Sequence, residues 1–590
     1  MVLSPVDHEP VIGGADFGAA KAGLRWNDGA ERASRPQPGL WNFRAAAWLR
    51  LLSGGRMPDR TSFTAAPEAR TGNTLSRRDA LKALLSSAAI TLAAPAVLAQ
   101  QQPPGRSFGY EDVVAQAIAL GERPFDAGAA KVPEELSQLT YDSYREIRFR
   151  RDRAFWRDGG SDFRLLPFHL GFLHDKPVQV HVVRDGMAIP IPFQTALFEY
   201  GKVATPKQLS PSLGFAGFAV TTTLNDPKVQ DELISFLGAS YFRLIGRGQR
   251  YGLSARSLSL DVGGEQDEEF PFFRALWLEE PRPESTQLVI HALLDSPSVA
   301  GAFRYVVTPG ATTAMEVTAT IVPRTQLRRV GFAPLTSMFQ AGEGDLAQRT
   351  DFRPEIHDSD GLMLRTGAGE WIWRPIRNPR ALRVTSFYDD NPRGFGLMQR
   401  DREFGHYQDL EAHYHARPGY WVEPLGEWGK GRVELAEIPT DNEAFDNIVA
   451  FWTPETPPPV GRPTEFAYRM SALSTTRHLH RFGQTRNSFS VSDIQDGKSD
   501  GQGRKRFIVD FADGDLAFWL ADAGRVEAVA STTLGAIAST ILVPNPEVKG
   551  FRVILDASLP DGETADLRLF LKSKGRTLTE TWTSTWSARD

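Results

Sequence analysis

The chain of 590 residues contains no cysteine. That absence excludes disulfides, a thiolate nucleophile, and cysteine-based zinc or iron–sulfur sites. After its first hundred residues it has no apolar run near 18 residues, so no helical membrane span is expected beyond that point. It has no strong charge of either sign. The net charge is −5 and the pI about 6.2, which gives a polyanionic partner no footing, and nucleic acid is not expected. One basic, aromatic stretch, RFRRDRAFWR at 148–157, is short and isolated and reads as a solvated helix or loop face. There is no G-x-S-x-G elbow, no Walker A loop and no H-E-x-x-H pair. No cofactor motif is found. His406, His413 and His415, with Asp409 and Glu411 between them, are a metal candidate, but the last two histidines share a face only in a strand, and no metal is expected. No βαβ rhythm is present, so neither a doubly wound sheet nor an α/β barrel is expected.

An export signal is present, but late. SRRDALKALLSSAAITLAAPAVLAQ runs from Ser76 to Gln100. Arg77 and Arg78 form a basic head, an apolar stretch follows to Ala96, and Val97 and Ala99 suit a signal peptidase. The paired arginines point to the twin-arginine route. The mixed segment before it predicts that Met57, or a nearby start, is the initiator. Residues 1–99 are therefore set apart from the fold as N-terminal extension and signal, and the protein is expected to be soluble after signal cleavage.

The remainder reads as mostly strand. Helical spacing is confined to Tyr110–Leu120, a segment beginning at Pro133, and a short PKVQDELISFL segment from Pro227. Strands are expected at Val178–Val183 and in a hairpin of QLVIHALLDS with GAFRYVVTPG. In TTAMEVTATIV, Met315, Val317, Ala319 and Ile321 share one face, as in a half-exposed antiparallel strand. The polar stretch Thr485–Arg506 predicts a boundary near residue 480. Beyond it RFIVDF, LAFWLA, VEAVAST, STILVPN, FRVILDAS and ADLRLFLKS come at the rhythm of a small β-sandwich.

Aromatics crowd the stretch from Glu370 to Trp452, interrupted by acids and glycines. Flat rings stack on the C–H faces of sugars and carboxylates bind their hydroxyls, so this region is a carbohydrate-site candidate. Each ring read alone fits an ordinary core position equally well. Glycoside chemistry needs a proton donor and a base or nucleophile. Asp358, Asp360, Asp389, Asp390, Asp409, Asp441 and Asp446 are all candidates, and spacing alone does not choose among them.

Long motifs narrow the choice. YFRLIGRGQRYGLSARSLSLD, LLDSPSVAGAFRYVVTPG, RPEIHDSDGL, NPRGFGLMQRDREFGHYQDLEAHYHARPGYWVEP and GEWGKGRVELAEIPTDNEAFDNIVAFWTP together resemble the glucan biosynthesis proteins of bacterial periplasms. The resemblance covers nearly all of residues 105–590. The arginine pair, FYDDNP and RDREFGHYQDLEA are similar to the D type rather than the G type. The resemblance implies an all-β fold: a large galactose-mutarotase-like β-sandwich over 100–480, then an immunoglobulin-like β-sandwich over 485–590. It implies a periplasmic enzyme that cleaves β-1,2-glucan internally with inversion, by hydrolysis or by transglycosylation, with the membrane glucan synthase as a further partner. By the same resemblance Asp446 is the general acid, Asp358 the general base acting through a relay, and Tyr414 binds substrate near the cleavage point. Trp371, Trp373, Trp428, Arg417 and Asp441 complete the expected substrate-binding set, and no cofactor or metal is implied. The chain departs from the family wording at Asp360 and His413. Two rival readings are a non-catalytic glucan-organising protein and, from fold alone, a sugar epimerase.

Overall fold

The structure, a computed structural model, describes residues 106–128, 132–204, 209–344, 351–492 and 502–587. The signal segment, Met57 and the question of the start lie outside the described residues. Almost all regular structure is strand, in a 16-stranded and a 10-stranded sheet with three smaller ones. One hydrophobic core takes residues from both large sheets: Ile290, Phe303, Tyr305 and Tyr420 from the first, Phe236, Leu244, Leu335 and Trp452 from the second. Ring contacts cross between them, Phe236 to Tyr305 at 5.2 Å and Phe332 stacked on Phe466 at 4.0 Å.

Most of the sequence pattern is realised. The expected hairpin pairs Leu288–Asp295 with Val299–Thr308. In Ala314–Pro323 the residues Met315, Val317, Ala319 and Ile321 are fully buried while Glu316 and Thr318 are exposed. The helix Tyr110–Gly121 opens with the Gly109 amide donating to Asp112 Oδ2 at 2.8 Å, and it buries Val113 and Ala117.

Three local expectations are corrected. The segment from Pro133 is two short helices, Glu134–Ser137 and Tyr141–Glu146, the second restarted by Thr140, whose hydroxyl accepts the Ser143 amide. The segment from Pro227 carries a strand, Asp231–Leu237, which pairs on both sides, with Gly217–Thr222 and Tyr241–Leu244. Tertiary pairing overrides the helical opening signal there. LAFWLA is helical, Leu516–Trp519 running into a 3₁₀ turn, because Leu516, Trp519, Leu520 and Ala523 recur at helical spacing and pack on one core.

The polar stretch near 485 is not simply a linker. Gln484–Ser492 and Gln502–Ala512 are paired strands. With Gly550–Pro560 and Ala536–Asn545 they form a four-stranded sheet. The other C-terminal strands, Glu527–Thr532, Thr564–Ser573 and Thr581–Ser587, extend the 16-stranded sheet through a parallel pairing of Thr581–Ser587 with Trp371–Pro375. One core beneath them joins Phe507, Val553, Leu569 and Trp582 to Trp371, Trp373 and Trp421.

Candidate active site

The strand Val330–Ser337 and the residues just after it organise the acids. Ser337 pairs with Ile448, and the Asn447 side chain brackets Phe339, accepting its amide at 2.8 Å and donating to its carbonyl at 3.0 Å. That fixes the neighbouring Asp446 at the head of the strand Ile448–Pro454. On the other side the Asp358 amide donates to the Met338 carbonyl at 2.8 Å, and Ser337 Oγ bonds Ser359 Oγ at 2.9 Å. Asp358 and Asp446, 88 positions apart in sequence, thus hang from neighbouring residues of one segment.

Asp358, Asp446, Arg417 and Tyr414 are buried, at 0, 2, 2 and 2 % exposure. Ser254 donates to Asp446 Oδ2 at 3.3 Å, and Ser254 itself pairs with Thr336. Arg256 donates to Thr336 Oγ1 at 3.1 Å and pairs with Glu268. Burial opposes its charge, but Glu268, Tyr241 and Asp446 around it hold it above the ordinary arginine range.

Asp358 is paired with Arg417, whose Nε also donates to the Ala412 carbonyl at 2.9 Å. The Arg417 guanidinium lies 4.4 Å from the centre of the Tyr414 ring. The Tyr414 hydroxyl donates to Glu443. Glu443 in turn accepts from Arg353 at 2.9 and 3.0 Å, and Arg353 also binds Asp409 at 2.6 Å. Asp358, Arg417, Tyr414, Glu443, Arg353 and Asp409 are therefore one continuous network.

The loop carrying Tyr414 and Arg417 is held from several sides. Gln399 donates to the Tyr414 carbonyl at 3.3 Å and to the His357 carbonyl at 3.0 Å. Arg402 donates to the carbonyls of His415 and Arg417. The Arg250 amide donates to the Ala416 carbonyl at 3.0 Å. Gly252 leaves room for the Arg417 stem: a β-carbon there would lie 2.7 Å from Arg417 Cβ.

His357, beside Asp358, has its ring nitrogens bound elsewhere. Its Nε2 lies 2.7 Å from Glu355 Oε2 and its Nδ1 2.9 Å from Gln399 Oε1. Burial alone would depress its pKa, but the bond to Glu355 holds it above the usual value. His357 lines a cavity of about 730 Å³, whereas neither Asp358 nor Asp446 does.

The four aromatics named from sequence fall in different places. Tyr414 lies in the network. Trp371 is buried in the C-terminal core, stacked on Trp421 at 5.6 Å with His480 at 4.5 Å. Trp373 is buried in the same core, edges the large cavity, and carries the Arg400 guanidinium 3.5 Å from its ring centre. Trp428 packs on Phe332, Trp452 and Phe466 and donates to the Ala467 carbonyl at 3.1 Å. The rings thus do not line a common surface. Asp441 is exposed on the loop before Asp446, its carbonyl bound by Gln340 at 2.9 Å.

The histidine cluster is divided as well. His413 and His415 are 5.9 Å apart, Asp409 is taken by Arg353, and His406 instead pairs with Asp401. Sequence reading missed Glu443, Arg353, Ser254, Gln399 and Arg402. Each is next to or inside a quoted motif, but only the fold shows what its side chain touches.

Residues 108–586 match the family described as periplasmic glucan biosynthesis protein, MdoG. The glucans biosynthesis protein G of Rhodopseudomonas palustris (strain BisA53) is 42% identical over 518 residues, covering 87% of this chain and 100% of that protein. The glucans biosynthesis protein D of Xanthomonas campestris pv. campestris (strain B100) is 43% identical over 518 residues, covering 84% of this chain and 93% of its own. A protein G from Ralstonia nicotianae is 44% identical over 480 residues, covering 81% of this chain and 95% of its own. G and D relatives match at the same level, so the family is assigned without the type. The chain belongs to the periplasmic glucan biosynthesis protein family.

Proposed function

We propose that the protein is a periplasmic enzyme of glucan biosynthesis, delivered by the twin-arginine route, that cleaves β-1,2-glucan internally with inversion, by hydrolysis or by cyclising transfer. Asp446 acts as general acid. Asp358 acts as general base through a relay, and Tyr414 binds substrate near the cleavage point. The observation that carries this reading is the suspension of Asp358 and Asp446 from the same Ser337–Phe339 segment, with Tyr414 one guanidinium away from Asp358. A large galactose-mutarotase-like sandwich over 100–480 and an immunoglobulin-like one over 485–590 are part of the same proposal, as is affinity to the D type. Arg417 positions Asp358, and the exposed Asp441 serves as a sugar contact. Of Trp371, Trp373 and Trp428, Trp373 lines the 730 Å³ cavity and Trp428 is half-buried.

Both acids are buried, so glucan reaches them only after the surrounding structure opens. The same burial favours the second reading, a protein that binds and organises glucan for the membrane synthase without turning it over. Incubation with linear β-1,2-glucan separates the two. Shorter or cyclised products establish the enzyme, and binding without products establishes the organiser. General acid catalysis is commonly worth about 10²- to 10⁴-fold, so Asp446→Asn and Asp358→Asn should keep binding and lose turnover to that extent. The first product should carry an α reducing end, read by NMR within minutes. A β product would end the inverting scheme.

A further inference from the structure

Outside the acid network, one group of side chains has the make-up of a metal site. Glu355, Asp401 and His406 each present a ligand atom, and all of these atoms lie within 4.8 Å of one another. They come from two segments that the backbone already joins, since the Glu355 amide donates to the His406 carbonyl at 3.0 Å. His406 Nδ1 lies 2.5 Å from Asp401 Oδ2, and the Asp401 backbone carbonyl accepts the Tyr407 hydroxyl at 3.3 Å. All three side chains line the 730 Å³ cavity. Glu355 is buried, Asp401 half-buried and His406 exposed, so the group is anchored at one end and open to solvent at the other.

Two further observations point to a cation. Asp360 lines the same cavity, its Oδ2 accepts the Asp401 amide at 2.9 Å, and its Oδ1 is buried with no hydrogen-bond partner. His357 and Arg400 already set positive charge near it, but no donor reaches this oxygen, which leaves a buried acceptor that a cation would satisfy. Glu355 also has the supporting partner that metal-bound carboxylates commonly have, the buried His357 at 2.7 Å. Two carboxylates and one imidazole form a mixed oxygen–nitrogen set. That set suits a borderline divalent ion such as Zn²⁺ or Mn²⁺ better than Ca²⁺ or Mg²⁺, which prefer all-oxygen shells.

We propose that Glu355, Asp401 and His406 bind one divalent transition-metal ion at the wall of this cavity. The ion pins the segment leading to Asp358 against the loop leading to Tyr414 and Arg417, and its binding does not depend on the reaction proposed above. Metal–ligand bonds of about 2.0–2.2 Å bring such atoms to roughly 3–3.5 Å from one another, a rearrangement within reach of side-chain rotation.

The test uses the full chain without an affinity tag, stripped with chelator and titrated with Zn²⁺ by calorimetry. One equivalent should bind saturably and raise the melting temperature. Glu355→Gln, Asp401→Asn and His406→Ala should each weaken binding at least about 10-fold, while His413→Ala leaves it unchanged. Circular dichroism of the stripped variants checks that they fold. Co²⁺ provides a readout on the unaltered chain: occupancy of this site gives visible d–d absorption that Zn²⁺ displaces. No saturable binding, binding untouched by His406→Ala, or a preference for Ca²⁺ over Zn²⁺ would each overturn the assignment and leave an Asp401–His406 ion pair only.

Discussion

Replacing Glu580 with glutamine should unsettle the loop that carries Tyr414 and Arg417 from a distance. Glu580 is 1 % exposed and lies in the C-terminal stretch, yet its carboxylate spans Arg400, accepting from Nη1 at 2.7 Å and from Nη2 at 2.9 Å. It also accepts the Thr485 amide at 2.7 Å, and His480 lies 3.5 Å away. Burial alone would raise its pKa, but Arg400 and His480 pull it from 4.5 down to about 2. The drop from 4.5 to about 2, at roughly 1.4 kcal/mol for each, is about 3 kcal/mol of stabilisation, in line with the ~3–5 kcal/mol lost when one partner of a buried pair is removed. The folded value lies below the unfolded one, so the unfolded chain takes up the proton first. The stabilisation is full above pH 4.5 and disappears as the pH falls through about 2. Urea titrations of wild type and Glu580→Gln should differ by about 3 kcal/mol at pH 7 and by roughly half of that at pH 3. Equal midpoints at pH 7, or a difference that does not shrink at pH 3, would refute the reasoning. Arg400 leads directly to Arg402, which holds the carbonyls of His415 and Arg417, so glucan turnover should fall too although neither acid is touched.

Gly252→Ala should displace Arg417, because the new methyl would meet a stem whose guanidinium is fixed by Asp358 and Ala412; turnover should fall more than overall stability, and unchanged kinetics would count against the close fit. Tyr414→Phe keeps the ring under Arg417 but loses the hydrogen bond to Glu443, worth about 1.5–3 kcal/mol for a charged acceptor. If Tyr414 binds substrate, KM should rise while kcat stays nearly constant, and a pure kcat effect would count against a binding role. Replacing Arg77 and Arg78 with lysine should leave precursor in the cytoplasm, as cell fractionation would show, whereas full export would refute the twin-arginine assignment.

How far a sequence can be read depends on whether the relevant interaction is local. The strand Ala314–Pro323 declares itself because its apolar residues alternate with period two, and the helix Tyr110–Gly121 because its buried residues are four apart. LAFWLA was open to misreading since six residues are too few to separate those periods, and Phe518, at 81 % exposure, interrupts the core-facing set. Aromatic density between 370 and 452 suggests a groove only if the strands there have one free face. Trp371, Trp373 and Trp452 instead lie on strands whose rings are covered by a second layer of side chains, which no local pattern reveals. The acids Asp358 and Asp446 were named through family wording, and nothing in their spacing would have chosen them. The charged partners are the least legible part. Arg353 and Glu443 are 90 positions apart, and Arg400 and Glu580 are 180 apart. In a sheet protein assembled from distant strands, a buried charge is neutralised by whatever the fold delivers to it. The residues that tune such a site are therefore found only once its topology is known, even when the acids proposed to perform the chemistry can be quoted from a motif.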